Sequence, residues 1–198
     1  MITTKIPGKS IFGIYIKCRF MAALDLCAEM IKMSETQKIE EALERRICSA
    51  FVKHLTDKSL DVQTNAVKSI QSTAGIIKEQ NLIGIVETLA KMVIDAGNKE
   101  VRDIYSLAIQ STINELKENS AVNMIRTVYP NMNKGLKSGK PEVQEECLEI
   151  LAQIFKRFGQ LLHKNNNLVN KDDLMKILVD LLQQAHPGVR KKTTNCMG

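Results

Sequence analysis

Four stretches of this chain can be laid over one another, each a turn followed by the start of a helix: DKSLDVQTNAVKSI (57–70), AGNKEVRDIYSLAI (96–109), SGKPEVQEECLEIL (138–151) and QAHPGVRKKTTNCM (184–197). Their valines, Val62, Val101, Val143 and Val189, are spaced by 39, 42 and 46 residues. Directly after them come Gln63, Arg102, Gln144 and Arg190, and eight residues past each valine stands Ile70, Ile109, Leu151 or Met197. Upstream, the match continues at seven, eleven and fifteen residues before each valine. The first of these positions holds Leu55, Ile94, Leu136 and Leu182. The second holds Phe51, Ala90, Met132 and Leu178, and the third holds Ile47, Val86, Val128 and Leu174. Steps of four trace one face of an amphipathic helix. Each copy therefore reads as helix A, a short turn and helix B. Such a pair cannot bury its apolar stripe alone, so the copies must stack on one another.

The turns carry the chemistry to stop one helix and begin the next. Gly97, Gly139 and Gly188 offer backbone angles closed to other residues, and Pro141 and Pro187 fall where a first helical turn tolerates proline. Asp61, Glu100 and Glu142 stand just before helix B, where the positive end of the helix dipole favours them. A weaker fifth copy lies at the front. KCRFMAALDL (17–26) puts Cys18 at the valine position, 44 residues before Val62, followed by Arg19, Ala22 and Leu26. The preceding MITTKIPGKSIFGIYI contains Pro7, Gly8 and Gly13 and reads as an irregular segment over 1–16, so the first repeat lacks an ordinary helix A. The expected fold is all-α, an α-solenoid of HEAT/armadillo-type helical hairpins with about four to five repeats, incomplete at both ends. It is expected to form a single domain over 1–198, with repeats from 17 to 198. An irregular helical bundle would leave the apolar matches in four copies unexplained.

Composition narrows the function classes. Aromatic residues make up only 4% of the chain, with 10 Gly and 4 Pro, which favours helices over strands and turns. The net charge of +6 permits an acidic partner, but basic residues are interleaved with acidic ones, as in KIEEALERR (38–46). No stripe of cations with stacking aromatics emerges, which argues against nucleic acid. The five cysteines (Cys18, Cys27, Cys48, Cys147, Cys196) form no CxxC pair, and His54, His163 and His186 are isolated, so no metal site is expected. Most of the cysteines sit at apolar helical positions, as small buried hydrophobes do in a reducing compartment. IFGIYI (11–16) is too short to span a bilayer, so a cytoplasmic and nuclear protein without membrane attachment is expected. Phosphate-loop and Ser-His-Asp patterns are missing as well, so no catalytic residue and no cofactor is expected, and the chain reads as a non-enzyme. His163 in LLHKNNNL reads as part of a solvated polar loop.

Within the aligned repeats, RFMAALDLCAEM (19–30), LTDKSLDVQTNAVKSI (55–70), VRDIYSLAIQSTINEL (101–116), VQEECLEILAQIFKRFGQLL (143–162) and GVRKKT (188–193) resemble, in order, the amino-terminal HEAT repeats of the cullin-associated neddylation-dissociated proteins. The resemblance implies a role in ubiquitin-ligase assembly. Those proteins wrap a cullin–RING core that lacks its ubiquitin-like modification and compete with substrate-receptor adaptors, so that receptors are exchanged in SCF complexes. Their amino-terminal repeats hold the cullin's carboxy-terminal region and RING partner. The adaptor-competing part lies at the far carboxy terminus, so this chain, read as truncated, is not expected to exchange receptors alone. Two alternatives stay open: a fragment of a nuclear transport receptor, which would bind a Ran-type GTPase, and a HEAT-like nucleic-acid binder.

Two sets of residues are candidates for function. Arg19, Gln63, Arg102, Gln144 and Arg190 begin successive B helices at one equivalent position and are expected to form a ladder bridging the turns of neighbouring repeats. The exposed positions of the B helices, which line the concave side of such solenoids, are expected to meet the partner: Lys68, Gln71, Asp103, Gln110, Glu149, Gln153 and Lys156. The apolar Ile104 and Leu107 fall on the same face, as interface anchors or as the mark of a slipped register. VRKK (189–192) reads as a solvated face in preference to an import signal or phosphate contact. The closing HPGVRKKTTNCMG reads as a turn and half a helix B, with Val189, Thr193 and Met197 turned toward a missing neighbour. A frayed or self-associating terminus, through open solenoid ends, is the expected outcome.

Overall fold

The computed structural model describes residues 11–36, 39–165, 167–184 and 186–198. Helices hold 84% of them and no strand occurs among them, so every apolar stripe finds its cover on another helix. The chain divides into two compact units, Met1–Ile76 and Ile77–Gly198. In the first, α1 (Ile11–Thr36) packs on the hairpin of α2 (Glu41–Leu55) and α3 (Leu60–Thr73). Ala23, Cys27 and Met30 of α1 are buried, as are Phe51 and Leu55 of α2 and Val62, Ala66 and Ile70 of α3.

The second unit stacks three hairpins: α4 (Glu79–Asp95) with α5 (Lys99–Glu115), α6 (Glu118–Leu136) with α7 (Pro141–Lys164), and α8 (Lys171–Leu182) with α9 (Pro187–Met197). A helices and B helices form separate layers: α4 packs on α6, while α7 packs on both α5 and α9. Each unit thus has the HEAT/armadillo-type construction that the repeat spacing implies. Side-chain bonds between neighbouring repeats span about one period of the chain, with sequence separations of 36 to 46 residues.

Several expectations need correction. Residues 11–16 are helical, because one glycine and a few β-branched residues lower helix propensity by only about 1 kcal/mol each, less than the gain from extending a helix already nucleated. Residues 1–10 lie outside the described residues. Cys18 stands at the valine position of the first copy but is exposed, and Ala23 of α1 is buried. The template positions Val86 and Ala90 of α4 are fully buried, but at the position seven residues before the valine both Ile94 and Leu182 are half-buried, with Val93 and Leu181 buried beside them. Leu89 of α4 is fully buried as well, while Val101 is half-buried. Of the turn glycines only Gly139 has positive φ, at 70°. Gly188 lies inside α9, where a Cβ would meet the Glu145 carboxylate, the movable end of a flexible side chain. His163 belongs to the last turn of α7 and is not in a loop. Finally, α9 is a formed helix, with Val189 and Thr193 buried within this unit and only Met197 exposed.

The expected ladder between repeats is also corrected. Four of its five members bind the turn of their own hairpin. Gln63 Nε2 donates to the Asp57 carbonyl at 2.6 Å, Gln144 Nε2 to the Leu136 carbonyl at 2.9 Å, and Arg190 to the Gln184 carbonyl at 2.7 Å. Arg102 is 3% exposed and donates to the carbonyls of Val93 (3.2 Å) and Ala96 (2.5 Å). These carbonyls close helix A or directly follow it, where a helix leaves acceptors without intrahelical donors. Gln63 and Gln144 leave their own Oε1 atoms buried and unpaired among the described residues, a cost that the donor-only Arg102 avoids. Arg19 alone reaches across repeats, gripping the Asp57 carboxylate at 2.6 and 3.1 Å, and the Ser59 amide donates to the same carboxylate at 2.9 Å.

Four sets of variants check this account. Gly135 in α6 faces α7 with the Cys147 Sγ where a Cβ would stand, and the Val143 Cγ1 only 3.4 Å away. Gly135→Ala is expected to lower stability in urea by about 1–3 kcal/mol through overpacking. Gly84→Ala, in the exposed middle of α4 with no atom within 4 Å, is expected to raise it by about 0.5–1 kcal/mol. Arg102→Ala, which orphans two carbonyls, is expected to cost about 2–4 kcal/mol, and Arg102→Gln clearly less, since Gln63 and Gln144 perform the same task. For Asp57, burial raises the pKa, but the Arg19 guanidinium and the Ser59 amide outweigh burial and hold it below the ordinary 3.8. The stability contributed by Asp57 is then complete above the ordinary value and is lost as pH falls through the lower folded one. In Asp57→Asn, the acid-side decline of the urea midpoint between about pH 5 and 2 should flatten.

Candidate protein-binding face

Along a B helix the core side repeats every three or four residues, which leaves a second stripe of side chains free of the A layer. In the second unit those stripes come from α5, α7 and α9. Asp103 and Leu107 on α5 are exposed, Leu107 at 57%, whereas Ile104 and Gln110 are half-buried. The register therefore does not slip at Leu107, and a large aliphatic side chain stands in solvent among polar neighbours. Glu149 and Gln153 on α7 are half-buried and Lys156 is exposed. Lys68 and Gln71 are exposed on α3, in the first unit, and so belong to a separate body from the other candidates.

Four of the candidates meet at one groove of about 610 Å³, where Gln110, Glu149, Gln153 and Lys156 face Lys192 and Met197 of α9. Three of them have their polar ends fixed before any partner arrives. Glu149 pairs with Lys192, Gln153 donates to Asn114 on α5, and Gln110 donates to the Ser106 hydroxyl at 3.1 Å. Preset side chains lose little rotamer freedom on binding, which favours recognition of a folded surface. Next to α7, the Arg157 guanidinium donates to the Leu116 carbonyl at 2.9 Å, where the backbone of α7 leaves helical geometry at Phe158 (φ −119°, ψ 19°).

The partner-binding residues named from the sequence do not include Glu146 and Lys192, which also belong to this face. Glu146 is half-buried, and burial raises its carboxyl pKa; a hydrogen bond with Ser106 opposes the rise, Asp103 and Glu149 add to it, and Lys192 opposes it. Asp103, Glu146 and Glu149 form an acidic group with Lys192 set against it, on a chain whose net charge is +6. The signal lay in the repeat alignment, because Asp103, Glu145 and Glu146, and Lys191 and Lys192, follow their valines by two or three residues.

The remaining reactive groups are placed for packing. Burial pushes the Cys48 and Cys147 thiols up to about 12 and Cys196 to about 11, and it also raises Cys27. Thiols held in that range stay protonated and act as small hydrophobes. Among the described residues no His, Cys, Asp and Glu group has metal-holding geometry, and no helix is long and apolar enough to cross a membrane. The arrangement presents a shaped, charged surface.

No family model matches the chain. Similar curated proteins are cullin-associated NEDD8-dissociated protein 1 of Dictyostelium discoideum, 26% identical over 187 residues and 90% of this chain, and its counterpart in Drosophila melanogaster, 29% identical over 178 residues and 88% of this chain. Cullin-associated NEDD8-dissociated protein 2 of Mus musculus is 29% identical over 187 residues and 91% of this chain. The chain spans 14% of the length of each of these relatives. Among solved structures, one on tubulin recruitment and assembly by microtubule polymerases with TOG domain arrays is similar in fold, with a TM-score of 0.61 at 14% identity over 91% of this chain and 36% of that one. Across about nine-tenths of its length, then, this chain is a sequence relative of the cullin-associated NEDD8-dissociated proteins, built from HEAT/armadillo-type hairpins.

Proposed function

We propose that the chain is a non-enzymatic, protein-binding scaffold that holds a cullin–RING ubiquitin ligase core lacking its ubiquitin-like modification, and so bears on the assembly of SCF-type ligases. The observation that carries this reading is the relation to proteins named for cullin association, which extends over about nine-tenths of the chain. The α5–α7–α9 face supports it physically. Leu107 is an exposed aliphatic anchor beside a groove whose polar side chains are already oriented. Large apolar side chains ringed by fixed polar groups are where interface energy concentrates. Asp103, Glu146 and Glu149 disfavour a nucleic-acid backbone at the same place, since phosphates need cations there. Receptor exchange involves the full-length architecture of the relatives and is not part of this proposal.

The test is titration of the purified chain against an unmodified cullin–RING complex, read by fluorescence anisotropy. Binding in the micromolar range or tighter is expected, weakened roughly tenfold or more by Leu107→Asp and by Glu149→Lys, with helical content unchanged. No binding at micromolar concentrations, or equal binding by both variants, would count against the reading.

A further inference from the structure

The outer side of α6 is a single line of exposed side chains: Asn119, Asn123, Arg126, Pro130, Lys134 and Lys137. Their spacing of four, three, four, four and three residues keeps all six on one stripe of the helix and its C-cap. Helix α4 packs beside α6, and α7 packs on its inner side. Further hairpins in such a stack meet the flanks of an A helix, so this side faces solvent however many repeats adjoin it.

Three of the six are cations and none is an anion. The carboxylates that reach the ends of the stripe are already engaged. Glu79 accepts from Asn123 at 2.8 Å and from Ser120 at 2.9 Å, and Asp173 accepts from Asn133 at 3.2 Å and pairs with Lys137 at 3.0 Å. In the middle, Arg126 and Lys134 form no ion pair among the described residues, whereas Lys91 on the neighbouring α4 is matched by Glu87 at 2.6 Å. Pro130 stands between these two cations and has no N–H, so the Arg126 carbonyl lacks the donor that a helix supplies four residues on. The stripe thus offers two unpaired charges about 12 Å apart along the axis, with a backbone acceptor between them.

That combination fits a peptide better than a nucleic acid. A peptide carries both carboxylates and N–H donors, while a phosphodiester backbone carries acceptors alone and binds through many cations. Bases would also need an exposed aromatic platform, and Tyr129, the one aromatic residue of α6, is buried. We propose that the outer stripe of α6 docks an acidic segment of a partner protein, with Arg126 and Lys134 paired to its carboxylates and the Arg126 carbonyl taking one of its backbone amides. The proposal is independent of cullin binding, since α6 contributes none of the residues of the α5–α7–α9 face.

Fluorescence anisotropy of a labelled peptide of alternating Glu and Ser, titrated with the full chain at low salt, tests it. In extended form every second Glu of such a peptide is about 13 Å from the last, close to the Arg126–Lys134 separation. Binding with a Kd of about 10–500 μM is expected, since exposed ion pairs contribute little each. Arg126→Glu and Lys134→Glu should each weaken it about threefold or more, and the double variant about tenfold or more. Both positions are exposed, so circular dichroism is expected to be unchanged. Lys176→Glu on α8 makes the same charge change away from the stripe and should leave binding within about twofold. No binding up to about 1 mM, or an equal loss from Lys176→Glu, overturns the proposal. Equal or tighter binding of an oligodeoxythymidine of the same net charge overturns it too and leaves the stripe to phosphates.

Discussion

A helix that stops inside a stack of helices leaves carbonyl oxygens with no donor, and in this chain the side chain just past each repeated valine reaches back to take them. Gln63, Arg102, Gln144 and Arg190 differ in length and charge but perform the same act on the turn behind them. The rest of the architecture depends on it. If the end of helix A were free to unwind, the angle between the two helices of a hairpin would not be fixed. The next hairpin would then have no defined surface to stack on. A buried arginine such as Arg102 is tolerable because its charge is spread over carbonyl dipoles at a helix end, where the field already favours a cation.

The helices and the repeat were legible in the sequence because both depend on spacing, and spacing survives without knowledge of tertiary contacts. The positions eleven residues before each valine, Phe51, Ala90, Met132 and Leu178, are all buried as the alignment requires. What spacing could not show was direction. Arg19, Gln63, Arg102, Gln144 and Arg190 share one place in the alignment, yet whether such a side chain bonds ahead to the next repeat, as Arg19 does, or back to its own turn depends on where the acceptors end up. Ile94 and Leu182 likewise fit the template by counting, but Val93 and Leu181 fit it by burial.

The binding face was legible in part for the same reason. Leu107, Gln110, Glu149 and Gln153 follow from helical periodicity on single helices, and three of these four line one groove. Glu146 and Lys192 were not among the partner-binding residues named from the sequence because their importance arises between helices, from a carboxylate half-buried beside Asp103 and Glu149 with one cation from the neighbouring hairpin. A charge cluster assembled across a stack is visible only once the aligned copies are read side by side, column by column.

Within each unit the side-chain bonds between repeats span about one period of the chain, 36 to 46 residues. A gene segment of one period, duplicated in frame, would hand each new side chain a partner of the kind it already has. An insertion of a few residues inside a helix would instead displace every contact downstream in that hairpin. Length can therefore change by whole repeats with little penalty, and architecture of this kind grows by copying.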